Sequence, residues 1–174
     1  MDEENLDISR INQLMDQSTQ TLESPDEILE DCLKNIVEAI DAERGFIMLY
    51  DSNFDELNVF AACNIDPDTL FTTAEVSQTV INNVYEEEKS VMSSNALDDP
   101  RFSEKSSVVI SGLRSIACVP ILIESGLVGL IYVDNRLRIG AYEQKHLQFL
   151  ETCTRKLAEV ILKVFPETQA KPRK

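Results

Sequence analysis

Two apolar runs decide the predicted fold: Ser115–Glu124 reads SIACVPILIE, and Leu127–Asn135 reads LVGLIYVDN. Both are far too short to span a bilayer, and each has the length of a buried strand. They flank the short turn sequence Glu124-Ser125-Gly126. The stretch therefore predicts an antiparallel β-hairpin.

Working towards the N-terminus, the sequence predicts the rest of a sheet and two shorter helices. Two further strands are expected at 46–50 and 57–63, joined by a hairpin connection, and a short strand is expected at 90–94. A helix is predicted over 76–87 with Ser77 as its cap, and a shorter one over 103–111, closed by Gly112 in the left-handed conformation. Residues 64–75 and 95–102 are predicted loops, the second with an Asp-Asp-Pro turn.

The ends of the chain are predicted to be helical. A weak heptad-like stripe occupies the first segment, and a longer seam occupies a final helix expected over 141–164. Between the first segment and the sheet, Ser24, Pro25 and Glu27 predict a capped helix that runs to about Asp41 and is stopped by Arg44-Gly45. The stripe consists of Ile8, Ile11, Met15, Ser18 and Leu22, and the seam of Leu147, Leu150, Thr154, Leu157, Ile161 and Val164. Strands clustered between helices indicate an α+β domain with an antiparallel sheet.

The composition excludes several classes of protein. The chain has 174 residues, with 16 Lys and Arg against 31 Asp and Glu, a net charge of −15. Such acidity argues against nucleic acid or an anionic membrane as a partner. The five glycines form no phosphate-binding motif, and the four cysteines are scattered, without zinc-ligand spacing. Because the N-terminus is acidic and carries no secretory signal, we expect a reduced, cytoplasmic protein.

The charge is distributed unevenly along the chain. Residues 1–31 contain ten acidic residues and one basic residue, whereas residues 136–174 contain four acidic and nine basic residues. This asymmetry predicts that the terminal segments attract one another. Two solvated faces that never meet are the alternative, since surface pairs are weak.

Several stretches, in this order, resemble a GAF domain over about Ser24–Val164. They are Arg44–Asp51, Val76–Ile81, Val91, Asn95-Ala96, Asp99–Phe102, Gly112–Pro120 and Gly129–Asn135. The resemblance implies a six-stranded antiparallel sheet, with the terminal helices on one face and a small-molecule pocket under short lid helices on the other. It also implies a regulatory sensor of signal transduction that often dimerises through its terminal helices. The domain is assigned to 24–165, after a helical extension at 1–23 and before a polar, frayed tail at 166–174. Such a sensor usually precedes an output domain, which we expect to be missing from this chain.

The resemblance and the strand pattern together define the candidate site residues. The candidate ligand-binding residues are Phe60, Ala62, Asn95, Phe102, Ser106, Arg114, Ser115, Cys118, Tyr132 and Asp134. The candidate dimer-helix residues are Leu147, Leu150, Leu157, Ile161 and Val164. Arg114 either binds an anionic ligand or pairs with Asp98, Asp99 or Asp134. No metal site, catalytic residue or identifiable cofactor is predicted.

Three functions compete. The first is a ligand-sensing GAF module that is not an enzyme, and the second is a homodimerisation module with a vestigial pocket. The third is an enzyme like the GAF proteins that reduce free methionine sulfoxide, for which Cys118 is the single thiol in the matching strand. A buried structural role for Cys118 is the alternative to that chemistry. His146, the one histidine, is expected on the polar face of the last helix. The Asn-Lys-Phe-Asp-Glu signature of cyclic-nucleotide-binding phosphodiesterases is not recognisable, and neither is the Cys-His pair of bilin-binding domains.

Overall fold

A computed structural model describes residues 6–70, 76–102 and 112–172. The helices are α1 (Ile8–Thr21), α2 (Pro25–Ala39), α3 (Gln78–Glu87) and α4 (Gln144–Val164). The strands are β1 (Arg44–Asp51), β2 (Glu56–Cys63), β3 (Val91–Ser93), β4 (Ser115–Ile123), β5 (Gly126–Asn135) and β6 (Lys171–Pro172). The predicted short helix at 103–111 lies outside the described residues, although Gly112 has the predicted left-handed conformation, with φ of 65°.

The strands form a six-stranded antiparallel sheet in the order β2-β1-β5-β4-β3, with β6 added to β5. The β4–β5 hairpin is the predicted one and supplies two of the three central strands. Pro120 lies past the end of the β3 pairing, where no strand of the described residues pairs with that edge of β4, so a residue without an N–H is tolerated. The predicted α+β fold with a six-stranded antiparallel sheet is confirmed.

Alternation along the central strands gives the sheet two apolar faces. On β1, Ile47 and Leu49 pack with α1, α2 and α4, whereas Phe46 and Met48 pack with α3 on the opposite side. We call these the helix face and the lid face. Because successive side chains of a strand point to opposite faces, each buried run supplies both cores at once.

The end of α2 differs from the prediction. The helix ends at Ala39, and Asp41 adopts a left-handed conformation with φ of 50°. Ala42 N donates to Val37 O at 3.0 Å and Asp41 N to Glu38 O at 3.3 Å, the two hydrogen bonds of a Schellman motif. Arg44 and Gly45 therefore belong to β1 and do not stop the helix. Ser24 makes no side-chain cap hydrogen bond, so the predicted capping box is wrong, although Pro25 does occupy the first turn.

The apolar stripe of α1 and the apolar seam of α4 pack against the sheet of the same chain. Ile11, Met15 and Ser18 of α1 are buried, as are Leu150, Thr154, Leu157 and Ile161 of α4, while Leu147 and Val164 are half-buried against the same core. These side chains cover the helix face of the sheet of their own chain, which leaves the polar sides of α1 and α4 outward. The assignment of Leu150, Leu157 and Ile161 to a dimer-facing surface is therefore wrong.

The terminal helices do attract one another, as the charge asymmetry predicts. Lys156 Nζ on α4 lies 2.6 Å from Asp16 Oδ1 on α1. Further along both helices, Lys163 Nζ donates to Thr19 Oγ1 at 3.5 Å. The contact is made within one chain.

His146 is not on the polar face of α4 but is buried, with 3% of its surface exposed. Its Nδ1 accepts a hydrogen bond from Glu143 N at 2.8 Å, and the Glu143 side chain accepts in return from the His146 amide. The histidine thus completes a capping box at the start of α4. A histidine in place of the usual Glu or Gln hid this cap from the sequence analysis.

The polar tail is not frayed over residues 165–172. Its Phe165 ring contacts the Phe60 ring edge-on, with centroids 5.3 Å apart, and β6 pairs with Gly126 and Leu127 of β5. β6 occupies the edge of β5 beyond Gly129, where the pairing with β1 stops. Within residues 6–70, 76–102 and 112–172, no helix combines the length and apolar character needed to span a membrane.

Candidate ligand-binding face

The lid face has an aromatic floor beneath α3. Phe46 of β1 and Tyr132 of β5 stack with centroids 4.7 Å apart and planes 14° from parallel. Val80, Ile81 and Val84 of α3 pack on this floor. The helix starts as predicted, because Ser77 Oγ accepts from Val80 N at 3.3 Å.

A buried polar network crosses the same face. Arg44 Nε lies 2.7 Å from Asp134 Oδ1, and Arg44 Nη2 lies 3.0 Å from Asp134 Oδ2. The Tyr132 hydroxyl accepts a hydrogen bond from the backbone N–H of Ser77 at 3.3 Å and interacts electrostatically with the Asp134 carboxylate. The network joins β1 and β5 to the residue that caps α3, so α3, which we call the lid helix, and the sheet share one polar network.

Burial sets the titration of these groups. Desolvation raises the pKa of the Asp134 carboxyl, against the opposing effect of the Arg44 guanidinium. Burial also holds the pKa of Tyr132 well above its usual value. Because Asp134 is occupied by a bidentate arginine, it is a structural anchor of the lid face and not an accessible acid or base.

The hydroxyl of Ser115 forms hydrogen bonds with two loops. Its Oγ lies 3.0 Å from Ser94 O and 2.9 Å from Arg138 O, and it accepts from Ala141 N at 3.1 Å. One fully buried hydroxyl thus ties together the loop after β3 and the loop before α4. This set of bonds leaves no exposed polar atom of Ser115 for a ligand.

The loop after β3 contains Asn95 and Phe102. Asn95 Nδ2 donates to Asp98 Oδ2 at 2.6 Å, and Phe102 is buried among the lid-face side chains. Asp99 accepts from both the backbone and the guanidinium of Arg101, and the guanidinium lowers the pKa of Asp99 to about 2. The Asp98-Asp99 pair therefore organises the turn, as the sequence indicated.

Phe60 and Ala62 separate in space. Ala62 is half-buried on the lid face, as the cross-strand partner of Phe46. Phe60 is 39% exposed and packs on Phe165, away from the lid face, because the β1–β2 register shifts between Ile47 and Met48. Ser106 lies outside the described residues.

Arg114 does not make any of the ion pairs proposed for it. The Asp134 carboxylate binds Arg44, and the Asp99 carboxylate binds Arg101. The half-buried guanidinium of Arg114 has no hydrogen bond or ion pair within residues 6–70, 76–102 and 112–172. It is therefore a cation at the edge of the lid face that could meet an anionic group.

The four thiols are free and poorly placed for nucleophilic chemistry. Cys118 is fully buried on the lid face, and desolvation raises the pKa of its thiol far above the usual value. Burial raises the pKa of Cys32 and of Cys153 to about 12. Among the described residues, no group of three or more His, Cys, Asp or Glu side chains could hold a metal ion.

A groove of about 350 Å³ opens between α3 and the β1–β2 hairpin. Its floor is apolar and its rim polar; the lining residues are Met48, Asp55, Glu56, Leu57, Gln78, Ile81, Asn82 and Tyr85. The hydroxyls of Tyr50 and Tyr85 converge on Asp55 Oδ1 at 3.0 Å and 3.1 Å. We call this the α3 groove.

The sequence analysis missed both the α3 groove and Arg44. The groove depends on the packing of two distant elements, for which no local pattern exists. The sequence contained a weak indication of the role of Arg44. Arg44 directly precedes the buried apolar run of β1, and Asp134 directly follows the buried apolar run of β5. Only the strand register shows that the two residues are cross-strand partners.

Comparison with known proteins identifies the architecture. The sequence model of the GAF domain matches residues 24–161, and no curated protein matches the chain. The GAF domain of an Acinetobacter phosphoenolpyruvate-protein phosphotransferase superposes with a TM-score of 0.72 at 17% identity, covering 92% of this chain and 96% of that chain. The phycocyanobilin-bound GAF domain of a cyanobacterial phytochrome gives 0.67 at 12% identity, covering 92% and 97%. The type II free methionine-R-sulfoxide reductase of Thermoplasma acidophilum gives 0.59 at 12% identity, covering 87% and 97%.

Proposed function

The chain belongs to the GAF domain family, and from that premise we propose that it is a regulatory input module of a signalling protein. In this proposal it binds a small molecule at the lid face and is not an enzyme. The observation that carries the proposal is the Arg44–Asp134–Tyr132–Ser77 network, which connects the sheet directly to the cap of the lid helix. A ligand that moves α3 must therefore disturb buried hydrogen bonds of the sheet.

The α3 groove is the proposed site of first contact. Its apolar floor suits the body of a small organic molecule, and the side-chain amides of Gln78 and Asn82 on its rim can both donate and accept hydrogen bonds. Arg114 lies at the edge of the same face and supplies a positive charge for an anionic group. Of the similar structures, the phytochrome domain carries a bound bilin, so this fold can accommodate a ligand.

The thiols support a role without catalysis. Reduction of a sulfoxide by cysteine needs a thiolate that can reach the substrate. Cys118 is fully buried, and Cys63, the half-buried thiol at the end of β2, packs with the helix-face core. The similarity to the Thermoplasma reductase is a similarity of fold at 12% identity.

A homodimer through the terminal helices stays a prediction. Most of the seam side chains are buried within one chain, so a dimer through these helices would have to use their outer sides, where α4 exposes Leu162 together with polar residues. Residues such as Gln13, Gln17 and Gln148 are exposed there. Sedimentation at micromolar concentration tests this prediction.

A thermal-shift screen with cyclic nucleotides, amino acids and 2-oxoacids tests the proposed function. We expect one class to raise the midpoint of unfolding, because a ligand that binds only the folded state stabilises it. Asn82→Trp should abolish that shift by filling the α3 groove, whereas Asn83→Trp, on the same helix but outside the groove, should keep it. A shift that survives in Asn82→Trp would place the ligand elsewhere, and the absence of any shift would count against ligand sensing.

A further inference from the structure

The C-terminal segment 165–172 connects two helices that lie on opposite faces of the sheet. It leaves the end of α4 on the helix face, passes Phe60, pairs with β5 and reaches α3 on the lid face. We propose that this segment, which we call the strap, couples the position of the lid helix to that of α4. The regulatory role of this coupling rests on the proposed function. The coupling itself is argued only from the contacts of the strap.

Lys171 is the point of attachment to the lid helix. Its Nζ donates to the backbone carbonyl of Tyr85 at 2.6 Å and lies 3.7 Å from the centroid of the Tyr85 ring. The Glu86 carboxylate is 3.8 Å away. Although it is a lysine, the residue is only 8% exposed. A buried ammonium that meets a carbonyl, a ring and a carboxylate occupies a built site, not a chance surface position.

The lid helix lacks what Lys171 supplies. The Tyr85 carbonyl belongs to the last turn of α3, where carbonyl groups have no partner within the helix. That turn has no basic residue, and Glu86, Glu87 and Glu88 place three acidic side chains at the negative end of the helix dipole. A ten-residue helix is marginal without such support. The lysine from the strap thus caps α3 from another part of the chain.

The sheet fixes the position of the strap. Gly126 faces Pro172 and Leu127 faces Lys171 in the β5–β6 ladder. Gly126 has φ of +141°, and a Cβ at this position would overlap the backbone carbonyl oxygen of Lys171. Only glycine therefore allows the strap to lie against β5, and only a docked strap brings Lys171 within reach of Tyr85.

Hydrogen exchange followed by mass spectrometry, on the ligand-free protein, tests the coupling. Lys171→Met keeps an unbranched side chain of nearly the same length but removes its charge and donor. We expect exchange of the amides of α3 to accelerate by about fivefold to tenfold, with the β1 and β5 amides unchanged. Lys89→Met removes an exposed lysine just after α3 and should exchange like the wild type. Gly126→Ala displaces the strap by a different route and should reproduce the acceleration in α3 with the β1 amides unchanged; its β5 amides are left out of the comparison, because the substitution strains β5 itself.

The reciprocal pair of variants lies on α3. Tyr85→Ala removes the ring under the ammonium and should accelerate exchange in residues 165–172, whereas Tyr85→Phe keeps the ring and should not. Unchanged exchange in α3 when the strap is released would overturn the proposal. Equal acceleration of α3 and the core strands would also overturn it, by showing a global loss of stability. Since no ligand is added, a failed ligand screen leaves this result unaffected.

Discussion

Arg44 and Asp134 are direct partners in the antiparallel β1–β5 ladder, and their side chains form a buried, bidentate ion pair on the lid face. Their side chains are only 3% and 0% exposed. Burial removes both charged groups from water, so the attraction between them must offset the cost of their desolvation. The pair fixes the register of two central strands at the point where they meet the lid helix.

Removal of one partner should therefore cost far more than removal of both. Asp134→Asn leaves the Arg44 guanidinium buried without its counter-ion, and we expect the free energy of unfolding to fall by about 3–5 kcal/mol. The double variant Arg44→Leu with Asp134→Leu should recover much of that loss. Urea denaturation measures all three. Glu159→Gln, which breaks an exposed pair with Lys156, is the control and should cost less than about 0.5 kcal/mol. An Asp134→Asn variant as stable as this control would show that the pair is not needed.

The ion pair of Asp99 with Arg101 should make the free energy of unfolding depend on pH. The Arg101 guanidinium lowers the pKa of Asp99 in the folded protein to about 2, from an ordinary value of 3.8. A depressed carboxyl pKa contributes stability above the unfolded value, and that contribution is lost as the pH falls from about 4 towards 2. Arg101 is half-exposed, so solvent screening limits the contribution to about 1 kcal/mol. Wild type should exceed Asp99→Asn by this amount at pH 6, and the difference should shrink below pH 4. A difference that is constant from pH 6 to pH 2 would exclude the ion pair as its source.

Gly45 should resist substitution by alanine. A Cβ there would lie 2.9 Å from Tyr132 O and 3.1 Å from Val37 Cγ2, which would force α2 away from β1. We expect Gly45→Ala to lower the free energy of unfolding by about 2–3 kcal/mol. Gly140→Ala is the control, since its Cβ would meet nothing within 4 Å and only its positive φ carries a cost, of about 1 kcal/mol. Equal losses in the two variants would show that helix–strand contact at Gly45 is not limiting.

The thiols should differ in reactivity. Cys63 is half-buried, whereas Cys32, Cys118 and Cys153 are buried. Desolvation raises the pKa of all four thiols, so the difference in access to solvent sets the expected order of reaction. We expect a thiol reagent at pH 8 to label Cys63 slowly in the folded protein, and to label all four cysteines only in urea. Peptide mass spectrometry identifies the modified residue. Rapid labelling of Cys118 in the folded protein would reopen a redox role for the lid face.

Much of the fold could be predicted because its signals are local. The β4–β5 hairpin follows from two apolar runs and the turn between them, and the start of α3 follows from a serine at the right distance from apolar positions. The attraction of the chain ends could be predicted from charge alone, since Asp16 and Lys156 need only opposite signs and nearby helices. A pattern over a few residues predicts each of these features.

The predictions that were wrong concern features that depend on contacts between distant parts of the chain. An apolar seam on α4 looks the same whether it faces a sheet or a second chain, and only the packed structure shows that Leu150 and Leu157 cover their own sheet. His146 has a polar side chain, yet it is buried because one ring nitrogen finds the Glu143 amide. The polar tail is ordered over 165–172 because Gly126 leaves room for it.

The sequence by itself determined the four helices α1 to α4, the strands β1 to β5, the antiparallel β4–β5 hairpin, the family and the attraction between the acidic and basic ends, but not β6. Periodicity, turn residues and net charge act over neighbouring residues, so they can be read without coordinates. The tertiary structure alone decided that Arg44 meets Asp134 across 90 residues and that Lys171 meets Tyr85 across 86. These contacts depend on strand register and on the path of the chain between the two faces. Register and path are set by the packing of the whole sheet and not by any one segment.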